Sequence, residues 1–467
     1  MEEVDKMILP WGSIVLLIFI VTVTLIVSKK IDMAAMALFG MALSGVVAMV
    51  GTGLTFEEYV KTFSWDAVLF VTATLIIVSV AGSSGLFQYL ALQTAHLAGN
   101  DPKRVYVSFL TFIFIISLFF DPFPTMLIMA PFTIQVCRLL DIDFEPLLVS
   151  EFVVANFASV PSPVGSIQNV VIAFAAQEFR LSDPAFSFDL VAWVVILLPL
   201  SVALFVATIP ILLRFYRSSL GEPGSSLFKV HDVATYSMIR NGRDFATSVI
   251  GMGILILGFL GAPSLGISPG LIALTLASVM LMLSRDRAGS LLQELSWDAV
   301  FYIIAIVGLV EALRLTGFTS DLSFAVNAAT GNNELLEIAL LAWVPGTLLS
   351  PVDSIPISVL FSELAMTLGH GNTLVPLALI VGTNTASYLV PMGGATSAFI
   401  LGVSDEHGGR IHLRALLRLT VPLGLFHLGV SSAYLFILAI LGPVWAVVVL
   451  VGVVVPSLIA MKRYLTE

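Results

Sequence analysis

A chain of 467 residues that is 58% hydrophobic and only 11% charged is too apolar for a soluble domain and matches polytopic helical membrane proteins. Its net charge of −10 matters less than where the charges fall. Its single cysteine, Cys137, excludes an internal disulfide and any cysteine-based metal cluster. The expectation is an all-α membrane protein with no metal, no cofactor, no enzymatic activity and no nucleic-acid partner.

The first apolar run, residues 11–28, follows acidic Glu2, Glu3 and Asp5 and reads as a retained span. A second span, 33–50, follows Lys29-Lys30, and a third covers 65–82. A polar stretch with His96, Lys103 and Arg104 marks a membrane surface. The apolar run 105–140 is interrupted by Asp121-Pro122-Phe123-Pro124-Thr125. Each arm is too short for a bilayer core of ~30 Å at ~1.5 Å per residue. With basic residues at both ends, the run reads as a re-entrant hairpin with Asp121 near its tip.

The next run, 147–177, contains Pro161 and Pro163 beside Asn156, Ser159, Ser162, Gly165, Ser166 and Asn169. A helix breaks at such prolines. In hydrocarbon, broken backbone is tolerated only when buried in protein or facing a wet cavity. A broken span is therefore a candidate binding site. A span at 189–213 and a cytoplasmic linker at 214–244 complete the first half.

The second half repeats the first. Ser64-Trp65-Asp66-Ala67-Val68 recurs 232 residues later as Ser296-Trp297-Asp298-Ala299-Val300. At the same offset Gly85 becomes Gly317, Asp121 becomes Asp353 and Pro124 becomes Pro356. At an offset of 228, Asn156, Ser159 and Gly165 become Asn384, Ser387 and Gly393. The chain thus reads as repeat 1 (11–213) and repeat 2 (245–441). Repeat 2 has its own hairpin (336–369) and broken span (373–402), and an extra helix follows at 443–461. Such duplication is a signature of secondary transporters.

A copy whose hairpin does not cross passes the membrane five times, and an odd count inverts the second copy. With Lys29-Lys30 in the cytoplasm, 17 of the 21 Lys and Arg fall on that side, which obeys the positive-inside rule. The expected topology is a multi-pass plasma-membrane protein, N-terminus outside and C-terminus cytoplasmic.

The tracts 65–173 and 297–400 resemble the ion transporter superfamily, which holds arsenite pumps, sodium/proton antiporters, the melanosomal P protein and citrate and dicarboxylate transporters. The resemblance rests on Gly85-Leu86-Phe87, Asp121 with Thr125, Met129-Ala130-Pro131, Glu151 with Asn156, and Asp353-Ser354-Ile355-Pro356. It implies a small-molecule or ion substrate, membrane lipid around the chain and a homodimer. The tips depart from the family pattern, with Pro122 and Ser354 where asparagine is usual, so protons rank ahead of sodium as coupling ion.

The first break offers Asn156, Ser159, Ser162, Gly165, Ser166 and Asn169, with Thr125 at the tip. The second offers Asn384, Thr385, Ser387, Gly393, Thr396 and Ser397. Asp121, Asp353 and Ser354 are coupling-ion candidates, since a carboxylate at membrane depth is costly unless protonated, paired or cation-bound. Competing readings are small residues that pack helices and aspartates that only cap the hairpin tips. No Lys or Arg falls in either tip or break. That favours a small weakly acidic oxyanion or metalloid, such as an arsenite-like hydroxide, over a highly charged carboxylate. The functional expectation is a proton-coupled secondary transporter with an elevator motion of hairpins and broken spans against the flanking spans. A sodium/proton antiporter is the alternative, and an intramembrane aspartyl protease a remote one.

Overall fold

The computed structural model describes residues 10–28, 30–98, 101–139, 142–182, 188, 190–220, 238–265, 267–368, 372–392, 394–409 and 411–466. Among them it is all helical, with no strand. The first half runs α1 (Pro10–Val27), α2 (Met33–Thr52), α3 (Phe56–Lys61), α4 (Trp65–Ser84) and α5 (Leu86–Ala98). The hairpin is α6 (Pro102–Ser117) and α7 (Pro122–Leu139), the broken span is α8 (Glu145–Ala158) and α9 (Ile167–Ser182), and α10 is Leu190–Phe215. The second half begins with α11 (Gly242–Leu265), α12 (Pro269–Ser284), α13 (Ala288–Gln293), α14 (Trp297–Leu315) and α15 (Phe318–Thr330). It continues through α16 (Glu334–Trp343), α17 (Ser354–Leu368), α18 (Leu374–Leu389), α19 (Ala395–Glu406), α20 (Leu413–Leu441) and α21 (Pro443–Thr466). By length and composition, six described helices can cross a membrane, or seven if the bent pair α14–α15 counts as one span.

Helices that start at Pro10, Phe56, Trp65, Leu86, Pro102 and Pro122 are matched by helices that start at Gly242, Ala288, Trp297, Phe318, Glu334 and Ser354, each 232 residues on. The local chemistry at corresponding joints is the same. Gly85 and Gly317 both take the left-handed conformation, φ 87° and 84°, which glycine adopts without a Cβ penalty. Each turns the chain out of a long helix into a thirteen-residue one. These two short helices were not anticipated, because half-polar runs of that length carry no membrane-span signal. At the hairpin tips, Asp121 Oδ1 accepts from Phe123 N and Asp353 Oδ1 from Ile355 N, each at 2.9 Å. The first arm of the second hairpin ends in a π-turn, Val344–Leu348, where Pro345 lacks the amide hydrogen that an α-turn needs.

Packing between the halves is reciprocal. Helix α2 lies on α14 and α12 lies on α4, while α9 lies on α17 and α7 on α19. Tyr59 Oη donates to Gly308 O at 2.7 Å, and Ser268 donates to Asp66. Closeness is also local: a Cβ on Gly382 of α18 would stand 2.6 Å from Leu341 O on α16. A second group of bonds ties α10 and α20 to the broken spans. Trp193 Nε1 donates to Val160 O (2.9 Å), Trp343 Nε1 to Ser432 Oγ (2.9 Å) and Thr420 Oγ1 to Leu389 O (3.0 Å).

Candidate functional site

The two breaks differ. In the first, residues 159–166, the side chain of Asn384 reaches across from α18 and fills the gap. Its Oδ1 lies 2.8 Å from Ser159 Oγ and 3.3 Å from both Ser166 Oγ and Gln168 Nε2. Its Nδ2 donates to Asn169 Oδ1 (2.6 Å) and Ile380 O (2.8 Å). Asn169 Nδ2 in turn donates to Ser159 O and Ser162 O, both at 2.9 Å. Asn384, Asn169 and Ser159 are fully buried. A Cβ on Gly165 would stand 2.9 Å from Ser159 O, so the loop closes tightly on itself. Buried polar groups need partners, and here each amide supplies the other's.

The second break is open. Asn156, the residue 228 positions before Asn384, donates Nδ2 to Phe152 O at 2.7 Å, as Asn384 does to Ile380 O. The residues matching its counterpart's partners are Ser387, Gly394, Thr396 and Ser397. All four, with Asn156, line a cavity of about 360 Å³. Ser166 has a hydroxyl where Gly394 has none, and Asn169 an amide where Ser397 has only a hydroxyl. The smaller residues leave the cavity where the first break has a network.

Both tip aspartates face this cavity, as do Gln168, Asp298, Tyr302 and Ser354. Asp121 is tied twice, since its Oδ2 accepts from Ile167 N at 2.9 Å. Among the described residues, Ile355 N is the one backbone amide that reaches Asp353. Ser387 Oγ donates to Ser354 Oγ at 2.9 Å, which joins the second hairpin tip to α18. Tyr302 Oη is buried with no hydrogen-bond partner, and Phe70 holds the matching place in the first half. No Lys or Arg lines the cavity.

Of the sequence candidates, the structure thus gathers Asp121, Asn156, Asp353, Ser354, Ser387, Thr396 and Ser397 around the cavity. It places Ser159, Ser162, Ser166, Asn169 and Asn384 in the closed network. Thr125 and Thr385 are buried away from the cavity, with Thr125 Oγ1 unpartnered. Gly393 lies outside the described residues. Sequence reasoning missed Gln168, Asp298 and Tyr302; the 228-residue match of Gln168 to Thr396 was the available signal for the first. Glu311 and Arg314 form the expected ion pair through Nε and Oε1 at 2.7 Å. Glu151 is fully buried, with both oxygens about 3 Å from Thr133 Oγ1.

His427 does more than pack. Thr208 Oγ1 donates to Leu204 O (2.7 Å), so it accepts from His427 Nε2 (2.9 Å). Nδ1 then accepts from Tyr388 Oη at 2.6 Å. One ring thus joins α10, α18 and α20.

A duplicated helical bundle with a polar cavity at a broken helix is the architecture of a transporter, and comparison with known proteins decides which kind. The citrate transporter family model matches residues 23–382. The chain belongs to this family. The transporter is also 25% identical to an uncharacterized transporter of Mycobacterium tuberculosis, over 90% of this chain and 97% of the relative. It is 23% identical to the 46 kDa membrane protein of Mycobacterium leprae, over 91% and 98%. With the arsenical pump membrane protein of Escherichia coli it shares 24% identity over 83% of this chain and 90% of the relative. The chain is therefore a multi-pass membrane transporter of the citrate transporter and arsenical pump type.

Proposed function

We propose that this transporter carries a small weak acid or oxyanion, bound at the second break and exchanged against or together with protons. The cavity at Asn156, Ser387, Thr396 and Ser397 supports this reading. It offers hydroxyls and amides and no fixed cation, and three carboxylates, Asp121, Asp298 and Asp353, face it. A fully ionised tricarboxylate would meet like charge there. An uncharged hydroxide such as arsenous acid would not, and Tyr302 Oη and the serines can hydrogen-bond it. The similarity to an arsenical pump membrane protein agrees with this choice.

The two halves act as inverted repeats with the N-terminus outside and the C-terminus cytoplasmic. The recurrence of helix starts and the reciprocal packing support that arrangement. The moving body comprises α6–α9 and α16–α19, and the His427 bonds assign α10 and α20 to it as well. The frame is α1, α2, α4, α11, α12 and α14. Asp121 and Asp353 carry the proton, and the hairpins carry the site with its ligands intact.

A sodium/proton antiporter is the second reading, favoured by the same three carboxylates in a cavity without a cation. Proteoliposomes separate the two. Arsenite or citrate uptake driven by a pH gradient without sodium supports the weak-acid reading, and sodium-dependent proton flux without either solute replaces it. Asp121→Asn and Asp353→Asn keep the capping oxygen but cannot titrate. Each should lose pH-driven uptake and keep solute counterflow. Wild-type uptake in both variants would make the aspartates structural caps.

A further inference from the structure

The helix with no counterpart in the first half, α21, lies on α10 and α20. It turns a strongly apolar face outward, with Val444, Trp445, Val448 and Ile459 more than half exposed. Its last turn meets cations from two distant parts of the chain. Lys103 Nζ, at the start of α6, donates to Tyr464 O at 3.0 Å. Arg214 Nη1, at the end of α10, donates to Tyr464 Oη at 3.4 Å. Arg217 lines a shallow crevice with Lys103, Leu213, Leu220 and Tyr464, and Lys462 and Arg463 flank Tyr464 in sequence.

Charge here is one-sided. Arg104 pairs with Asp101 at 3.6 Å. Among the described residues, no carboxylate forms an ion pair with Lys103, Arg214 or Arg217. Asp143 and Glu145 are the acids that act on neighbouring Tyr216. The cluster is not inherited from the repeated unit: Lys103 and Arg104 match Leu335 and Leu336, and Arg214 and Arg217 match Gly442 and Trp445.

We infer that Lys103, Arg214 and Arg217, gathered around Tyr464, bind the phosphate of an anionic phospholipid whose acyl chains lie along the exposed face of α21. The charge supplies selectivity, and the apolar helix below it supplies a place for the chains. A soluble anion would use the charge but not the helix. The bound lipid would clamp the start of the first hairpin to α10 and α21.

The test uses the full-length protein, purified, stripped of lipid and offered phosphatidylglycerol or phosphatidylcholine, with retained lipid counted by native mass spectrometry. Wild type should retain phosphatidylglycerol with about tenfold preference, and Lys103→Gln/Arg217→Gln should lose most of that preference while eluting as a folded species. Arg418→Gln, a basic residue on α20 outside the cluster, is the control and should change nothing. Equal retention of the two lipids by wild type, or equal loss in the control, overturns the proposal. Displacement of phosphatidylglycerol by millimolar inorganic phosphate also overturns it, in favour of a free-anion site. Should Lys103→Gln/Arg217→Gln aggregate, the single variant Arg217→Gln carries the test, since its exposed side chain is not part of the core.

Discussion

The two breaks come from one ancestral segment and have ended in different states. At the first, an asparagine from the other half supplies the missing partners, and the polar loop is closed and dry. At the second, the matching asparagine faces an open cavity lined by the matching positions. Two side-chain differences account for this: Ser166 against Gly394, and Asn169 against Ser397. A protein amide and a bound solute can satisfy the same kind of backbone break. Which one does so is set by the few atoms opposite the asparagine.

The strongest way to break the comparison is to make the open site resemble the closed one. A Cβ on Gly394 would meet nothing nearer than Ser397 Oγ at 3.9 Å, so the position accepts a side chain. The double variant Gly394→Ser/Ser397→Asn should let Asn156 build its own network. Solute flux should fall by about a hundredfold, the effect of losing two or more good hydrogen-bonding positions, while the protein elutes and melts like wild type or better. Unchanged flux would mean that the solute binds elsewhere.

The two asparagines should part ways next. Asn156→Ala should weaken solute binding by about tenfold, worth one hydrogen bond to a polar ligand, and leave the melting temperature in detergent nearly unmoved. Asn384→Ala strands Ser166, Gln168 and Asn169 and should cost about 3 kcal/mol of stability, since each orphaned buried group costs roughly 1–3 kcal/mol. If the stability loss followed Asn156 instead, the assignment of closed and open breaks would be reversed.

Tyr388→Phe sharpens the picture by a smaller amount. It removes the donor to His427 Nδ1 and should cost about 1–2 kcal/mol, with the same loss in Thr208→Val. In the double variant the losses should fall short of additive, because both act through one ring. Full additivity would mean that the ring does not couple α10 to α18.

The smallest effect lies far from either break, at the end of the frame. Thr55 N and Oγ1 both donate to the Glu58 carboxylate at 2.8 Å, and these bonds hold its pKa below the ordinary carboxylate value. A depressed folded-state pKa means that the cap is present above the unfolded value and lost as pH falls through the folded one. Amide exchange in residues 56–61 should therefore quicken slightly under acid conditions. Glu58→Gln should remove that pH dependence, and an acid response that persists in it would point to another group.

Much of this architecture was legible in the sequence. Pro161 and Pro163 in an apolar run forced a break, and Asp121 and Asp353 marked two tips at one spacing. Periodicity of 232 residues placed most helix starts of the second half. The short helices α5 and α15 were missed because their polar halves resemble surface loop. The inequality of the breaks was missed for a different reason. Asn156 and Asn384 are the same residue in matching context, and only the volume opposite each, across the fold, separates them. The offset of 228 that revealed the pair also carried the Gly394 and Ser397 differences. Without a structure, nothing said that those two positions face the asparagine.

The reciprocal packing bears on how such a chain is made. Helix α2 buries its face on α14 and α4 on α12, so neither half can cover its own apolar surfaces while it is alone in the bilayer. The first half must wait, lipid-exposed, until the second has been inserted. Stable folding is then a late event that resembles the docking of two subunits more than the sequential growth of one bundle. Two separately translated pieces, 1–220 and 238–467, should find each other in the membrane and rebuild the transporter, whereas either piece alone should be degraded.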